Sequence, residues 1–100
     1  MSWQVYMILC SDASLYTGIS TDAGRRFAQH GERLGARYFR GRHPHSLVYL
    51  ETGHSRSSAS RREAAIKRLK RIDKTQLIAS PLNELVRPQA ESLLSGAQVS

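Results

Sequence analysis

The stretch Trp3-Gln4-Val5-Tyr6-Met7-Ile8-Leu9-Cys10, followed after Ser11-Asp12-Ala13-Ser14 by Leu15-Tyr16-Thr17-Gly18-Ile19-Ser20, decides the fold. Residues 3–9 alternate in the manner of a half-buried strand, with Trp3, Val5, Met7 and Leu9 on one face and Gln4, Tyr6, Ile8 and Cys10 on the other. The four residues that follow are turn-formers. In the second run, Leu15, Thr17 and Ile19 make the more apolar side. The two runs read as a β-hairpin. Both apolar sides must face one core, because a one-residue slip would turn one strand's set outward. Odd positions therefore share a face with odd positions, and even with even. Tyr6 and Tyr16 then land side by side, next to Gly18, whose missing side chain leaves the backbone approachable.

Downstream, Thr21 is placed to cap a helix over Asp22 to His30, ended by Gly31. Arg26 and His30, four apart, share a face of that helix. Leu47 to Glu51 reads as a third strand entered after Pro44. Ser58 to Arg71 gives the strongest helical pattern, with Ala59, Ala65, Ile66 and Leu69 as its apolar stripe. A shorter helix from Lys74 to Ala79 closes before Pro81, and Ser80-Pro81 can start one more turn. Beyond Arg87 the chain is polar and rich in small residues, the composition of a fraying terminus. The expected fold is α/β of the α+β kind, a three-stranded antiparallel sheet flanked by helices. Its domain covers residues 1–80, with 81–100 a short, partly disordered C-terminal extension.

With 100 residues the chain has room for one domain and a modest core. A single cysteine, Cys10, excludes an intramolecular disulfide and fits a reducing cytoplasm. The longest apolar run, Val5 to Cys10, is far too short to span a bilayer, and no secretory leader is apparent. The formal net charge is +7, and 14 of the 15 Lys and Arg residues fall between Arg25 and Lys74. A polyanion is the expected partner, nucleic acid the commonest one. The plainer alternative is a merely cationic surface.

Gln4-Val5-Tyr6, then Tyr16-Thr17-Gly18, then Arg25-Arg26 with His30, then Glu63 in Arg61-Arg62-Glu63-Ala64-Ala65-Ile66-Lys67 resemble, in order and spacing, the signature of the GIY-YIG nucleases. The likeness runs from about Trp3 to Ile78 and is strongest to the stand-alone bacterial, single-domain type. The family arginine follows the second motif's tyrosine by ten positions, which selects Arg26. Two positions depart from the pattern: Gln4 replaces the glycine of the first motif and Thr17 the isoleucine of the second. The family's late polar residue, commonly asparagine, is not placed.

The resemblance implies a Mg²⁺ (or Mn²⁺) dependent endonuclease acting on DNA, structure-directed or weakly specific, in repair or recombination. Glu63 would hold the metal, whose other positions stay with water and substrate oxygens. Arg26 would pair with the scissile phosphate through its donor fork. Tyr6 would accept the proton, its hydroxyl brought down from about 10 by Arg26 and the metal. Tyr16 would position water or phosphate. His30 would orient Arg26 or take the proton instead. Each has a plainer reading: strand tyrosines packing a sheet, a solvated Arg26, His30 complementing a helix dipole, Glu63 paired with Lys67 four residues on.

Arg37, Tyr38, Phe39, Arg40, Gly41 and Arg42 interleave basic and aromatic groups, as suits a strand-binding loop, with Phe39 favoured for the core. Gly18, Arg25 and Lys67 complete the expected nucleic-acid face. His43-Pro44-His45 lacks a third ligand and is weak evidence for zinc. Cys10 reads as a strand residue rather than a nucleophile. Two other functions stay open: a nucleic-acid-binding module that does not cut, and an interaction module for acidic proteins. No recognition domain is apparent, so a protein partner supplying specificity is possible; the oligomeric state is left open.

Overall fold

The computed structural model describes residues 1–31 and 42–85, for His30 the backbone only. Strand β1 (Trp3–Cys10) turns into β2 (Leu15–Ser20), helix α1 spans Ala23–Gly31, β3 spans Pro44–His54, and α2 (Arg56–Lys67) and α3 (Arg71–Ile78) follow. The fold is α+β: one antiparallel sheet in the order β2-β1-β3 with helices around it. The hairpin turn is tied by Asp12, whose Oδ1 accepts from the Ser14 backbone N–H at 3.1 Å. Its register is the expected one, with Val5 opposite Ile19, Met7 opposite Thr17, Tyr6 opposite Gly18 and Ile8 opposite Tyr16.

One expectation fails. β1 is not half-buried: it is the central strand, and Val5, Tyr6, Met7 and Ile8 are all shielded from solvent. The even face lacks any charged group between Gln4 and Cys10, so it can be covered as readily as the odd one. Two cores result. Val5, Met7, Tyr49, Ala59 and Ile66 form one, against which Leu77 and Ile78 of α3 pack. Tyr6, Ile8, Cys10 and Ala23 form the other, with Tyr16, Phe27, Leu47 and Leu50 around it. An irregularity in β3 opposite Met7 and Ile8 puts Val48 and Tyr49 in the same core while Leu47 and Leu50 go to the other.

The helix boundaries also move. Asp22, not Thr21, caps α1: its Oδ1 accepts from the Arg25 N–H at 3.1 Å. Gln4 Oε1 accepts from the Ala23 N–H at 2.7 Å, so the residue that departs from the glycine pattern fastens α1 to β1. α2 begins before Ser58, because Ser55 and Ser58 bond reciprocally as a capping box with serine in the place usual for Glu or Gln. It stops at Lys67, and α3 starts at Arg71 behind Lys70, whose side chain makes no cap bond. Ala65 is exposed, since the inward line of α2 runs through Ala59 and Ile66, with Ile66 and Ala65 about 100° apart round the helix. β3 is longer than Leu47 to Glu51 at both ends. The chain's one asparagine, Asn83, accepts from the Leu50 N–H and donates to the Val48 and Ile78 carbonyls, joining β3 to the end of α3.

Candidate functional site

The face that carries the two tyrosines is built from β1, β2, α1 and one flank of α2. The Tyr6 and Tyr16 ring centroids are 6.3 Å apart, with planes inclined by 48°. Gly18 lies under them. A Cβ at that position would meet Tyr6 Oη at 2.7 Å and Tyr6 Cζ at 2.8 Å, so the phenol rests directly on glycine backbone. α1 brings Arg26 to this face, where its guanidinium acts on the Tyr6 hydroxyl and Nη1 donates to Gln29 Oε1 at 3.3 Å. α2 presents Glu63 and Lys67, paired at 3.2 Å. The charge of Glu63 acts on both tyrosines.

Burial is the largest influence on the Tyr6 hydroxyl and pushes it well above the ordinary phenol range; Tyr16 adds to this, and Arg26 only partly opposes it. Burial also raises Tyr16, against the pull of Lys67. The expectation was that Arg26 and the metal together lower Tyr6; Arg26 alone does pull it down, but by less than burial pushes it up. Around neutral pH Tyr6 is a phenol, able both to donate and to accept a hydrogen bond.

Among the described residues no three His, Cys, Asp or Glu side chains gather as a metal cage. Glu63 as a single carboxylate fits Mg²⁺, which keeps most of its waters and takes one or two carboxylates plus substrate phosphate. Arg25 is exposed on α1. Arg42 Nε donates to Asp12 Oδ2 at 2.8 Å beside the hairpin turn. Arg37, Tyr38, Phe39 and Arg40 lie outside the described residues, as does the side chain of His30. Cys10 is buried, which raises its thiol.

A second polar cluster was not anticipated. Glu51, 8% exposed, accepts from the Tyr49 hydroxyl, from Arg62 Nε at 2.8 Å and pairs with His54 Nε2 at 2.9 Å. His54 Nδ1 is 2.8 Å from Ser58 Oγ in the first turn of α2. Burial alone would raise the Glu51 carboxyl, but these hydrogen bonds outweigh it and hold it below the ordinary range. The available signal was an acid two residues from Tyr49 on the same strand, since a carboxylate on a core face needs partners. On the same side, Thr17 Oγ1 is buried without a hydrogen-bond partner among the described residues.

Among the described residues no helix is long and apolar enough to cross a membrane. Residues 2–76 match the model of the GIY-YIG catalytic domain. A UPF0213 protein of Desulfotalea psychrophila is 49% identical over 78 residues, covering 77% of this chain and 71% of that one. One from Cronobacter sakazakii is 48% identical over 80 residues, covering 80% and 84%. The solution NMR structure of a UPF0213 protein from Bacillus halodurans superposes with a TM-score of 0.53 at 39% identity, covering 84% of this chain and 89% of that one.

Proposed function

From the premise that this chain belongs to the GIY-YIG family, we propose that it is a Mg²⁺-dependent endonuclease that hydrolyses DNA phosphodiester bonds at the Tyr6–Tyr16–Arg26–Glu63 face. The observation that carries the reading is the convergence itself: two tyrosines seated on Gly18, with Arg26 acting on the inner one and a carboxylate from another helix acting on both. Arg26 is exposed, so it can give its donor fork to the scissile phosphate. The Tyr6 hydroxyl accepts a hydrogen bond from the attacking water, and Tyr16 orients water and phosphate. His30 is the alternative proton acceptor, because the Tyr6 phenol, raised by burial, is a poor one. Glu63 would hold Mg²⁺, which when bound stabilises negative charge on the leaving 3′ oxygen. Arg25, Arg26 and Lys67 read phosphate rather than base edges, which supports weakly specific or structure-directed cutting, of use in repair or recombination.

The test incubates the protein with supercoiled plasmid and branched oligonucleotides, with Mg²⁺ or with chelator. Glu63→Gln should abolish cutting while DNA binding persists, and Tyr6→Phe should slow it about 10²-fold. Arg26→Ala should reduce both rate and phosphate affinity. A wild type that binds these substrates but never cuts them would leave a binding module as the better account. Cutting unchanged in folded Glu63→Gln and Tyr6→Phe would place the activity elsewhere. A rate that keeps rising with pH into the alkaline range, with no plateau, would return the proton to Tyr6.

A further inference from the structure

α2 faces the sheet along a line through Ala59 and Ile66, the two residues it buries. Arg62 and Glu63 are sequence neighbours, so they point about 100° apart and lie on opposite flanks of that line. Arg62 reaches toward β3, where its Nε bonds Glu51 at 2.8 Å. Glu63 lies on the flank that acts on Tyr6 and Tyr16. Two buried side chains, one of them only a methyl, resist rolling of a helix about its own axis poorly. The tethers from β3 resist it directly. Glu51 holds Arg62 in one turn of α2, and His54, itself bonded to Glu51 at 2.9 Å, holds Ser58 in the first turn. At a side-chain radius of about 5–6 Å, a 10° roll carries a flanking group about 1 Å.

We propose that Glu51 and Arg62 are positioning residues: their ion pair sets the roll of α2 and thereby aims Glu63 at the tyrosine face. The inference rests on the reading of Glu63 as the metal-holding group, and goes beyond it by assigning work to a cluster on the opposite flank that touches no reacting atom. A displacement of about 1 Å in the metal-holding carboxylate should weaken metal binding on the order of tenfold.

The experiment compares wild type with Glu51→Met/Arg62→Met, in which both charges leave together. Replacing a buried ion pair by apolar side chains of similar volume is commonly neutral for stability. Arg61→Met, one residue along the same helix, is the control. The first readout needs neither metal nor DNA: NMR resonances of the Tyr6 and Tyr16 rings and of the Glu63 side chain. The second is the Mn²⁺ concentration that half-broadens the Tyr16 signals, and the third is the Mg²⁺ dependence of cleavage. We expect the double variant to stay folded but to melt below wild type, since the Tyr49 hydroxyl and His54 lose their acceptor, to shift the Tyr16 and Glu63 resonances, and to need about tenfold more Mn²⁺ and Mg²⁺. Saturating Mg²⁺ should restore most of the rate, a recovery that a general loss of structure would not allow. A folded double variant with wild-type resonances and Mn²⁺ midpoint overturns the proposal. Should the double variant not fold, Glu51→Gln decides by the same readouts, with smaller shifts in the same direction. A wild type that broadens with Mn²⁺ but cuts no DNA removes the nuclease reading and leaves the positioning intact. A wild type that takes no Mn²⁺ removes the metal reading, and the ring spectra still decide whether the ion pair aims Glu63.

Discussion

Replacing Gly18 by alanine puts a methyl carbon 2.8 Å from Tyr6 Cζ and 2.7 Å from its hydroxyl oxygen. Carbon atoms in good contact sit about 3.5 Å apart, so the ring or the strand must give by roughly 0.7 Å. Tyr6 is 1% exposed and belongs to a packed core, so its ring cannot shift without moving its neighbours. Overpacking of this kind costs about 1–3 kcal/mol. Alanine recovers about 0.5–1 kcal/mol of glycine's disadvantage in a strand. The net loss of about 1–2 kcal/mol lowers the melting temperature by about 5–10 °C in a domain of this size. The same displacement moves the Tyr6 hydroxyl, and since a 1 Å misplacement can cost about 10²-fold, the cleavage rate should fall on the order of tenfold or more. The assay pairs circular-dichroism melts with single-turnover plasmid cleavage at 25 °C. Adding Tyr6→Phe removes the oxygen clash and should recover part of the melting temperature but none of the rate. A Gly18→Ala protein that melts and cuts like wild type would refute the close seating of Tyr6 on Gly18.

Four further outcomes are expected. Thr17→Val removes a buried hydroxyl that lacks a partner among the described residues, and should stabilise the fold by about 1 kcal/mol in a denaturant titration. Gly24→Ala, in exposed helix with no neighbour nearer than Asp22 Oδ1 at 3.7 Å, should also stabilise, by about 0.5–1 kcal/mol. Asn83→Asp turns two donors into acceptors facing the Val48 and Ile78 carbonyls and should destabilise by about 2 kcal/mol or more, read as a lower melting temperature. Tyr6 and Tyr49 both have hydroxyls raised by burial, so the folded state keeps protons that the unfolded state loses near pH 10. Stability should be full below that pH and fall above it; Tyr6→Phe should flatten the alkaline loss, followed by phenolate absorbance and melts.

The hairpin register was legible because parity allows one answer: Tyr6 and Tyr16 had to share a face once Val5 and Ile19 did. The covering of that face was not legible, since no charged side chain on β1 distinguishes a solvated face from a buried one. α1 was visible in outline, but its cap went to Asp22, which Gln4 helps fix from nineteen residues away. The break between α2 and α3 carries neither Gly nor Pro, so nothing local announces it. Arg26 and Glu63 were singled out by their resemblance to a family pattern, not by periodicity, which made them surface residues. The raised Tyr6 hydroxyl depends on how much protein surrounds it, a quantity no local pattern holds. Glu51 and Arg62 stayed hidden because their bond joins a strand to a helix eleven residues on, and each alone looks like ordinary surface charge.

Asn83 and its neighbour have a consequence for how molecules of this protein meet one another. β3 is an outer strand of the sheet, and an outer strand offers unpaired N–H and C=O groups as a template for another chain. At Leu50 and Thr52 that template is occupied. Asn83 Oδ1 takes the Leu50 N–H at 3.1 Å, the Leu50 carbonyl takes the Glu84 N–H at 2.7 Å, and Glu84 Oε2 takes the Thr52 N–H at 3.0 Å. The short segment after α3 thus stands where a foreign strand would add. Along this stretch of β3 the sheet is kept from growing sideways by two polar residues and no further strand.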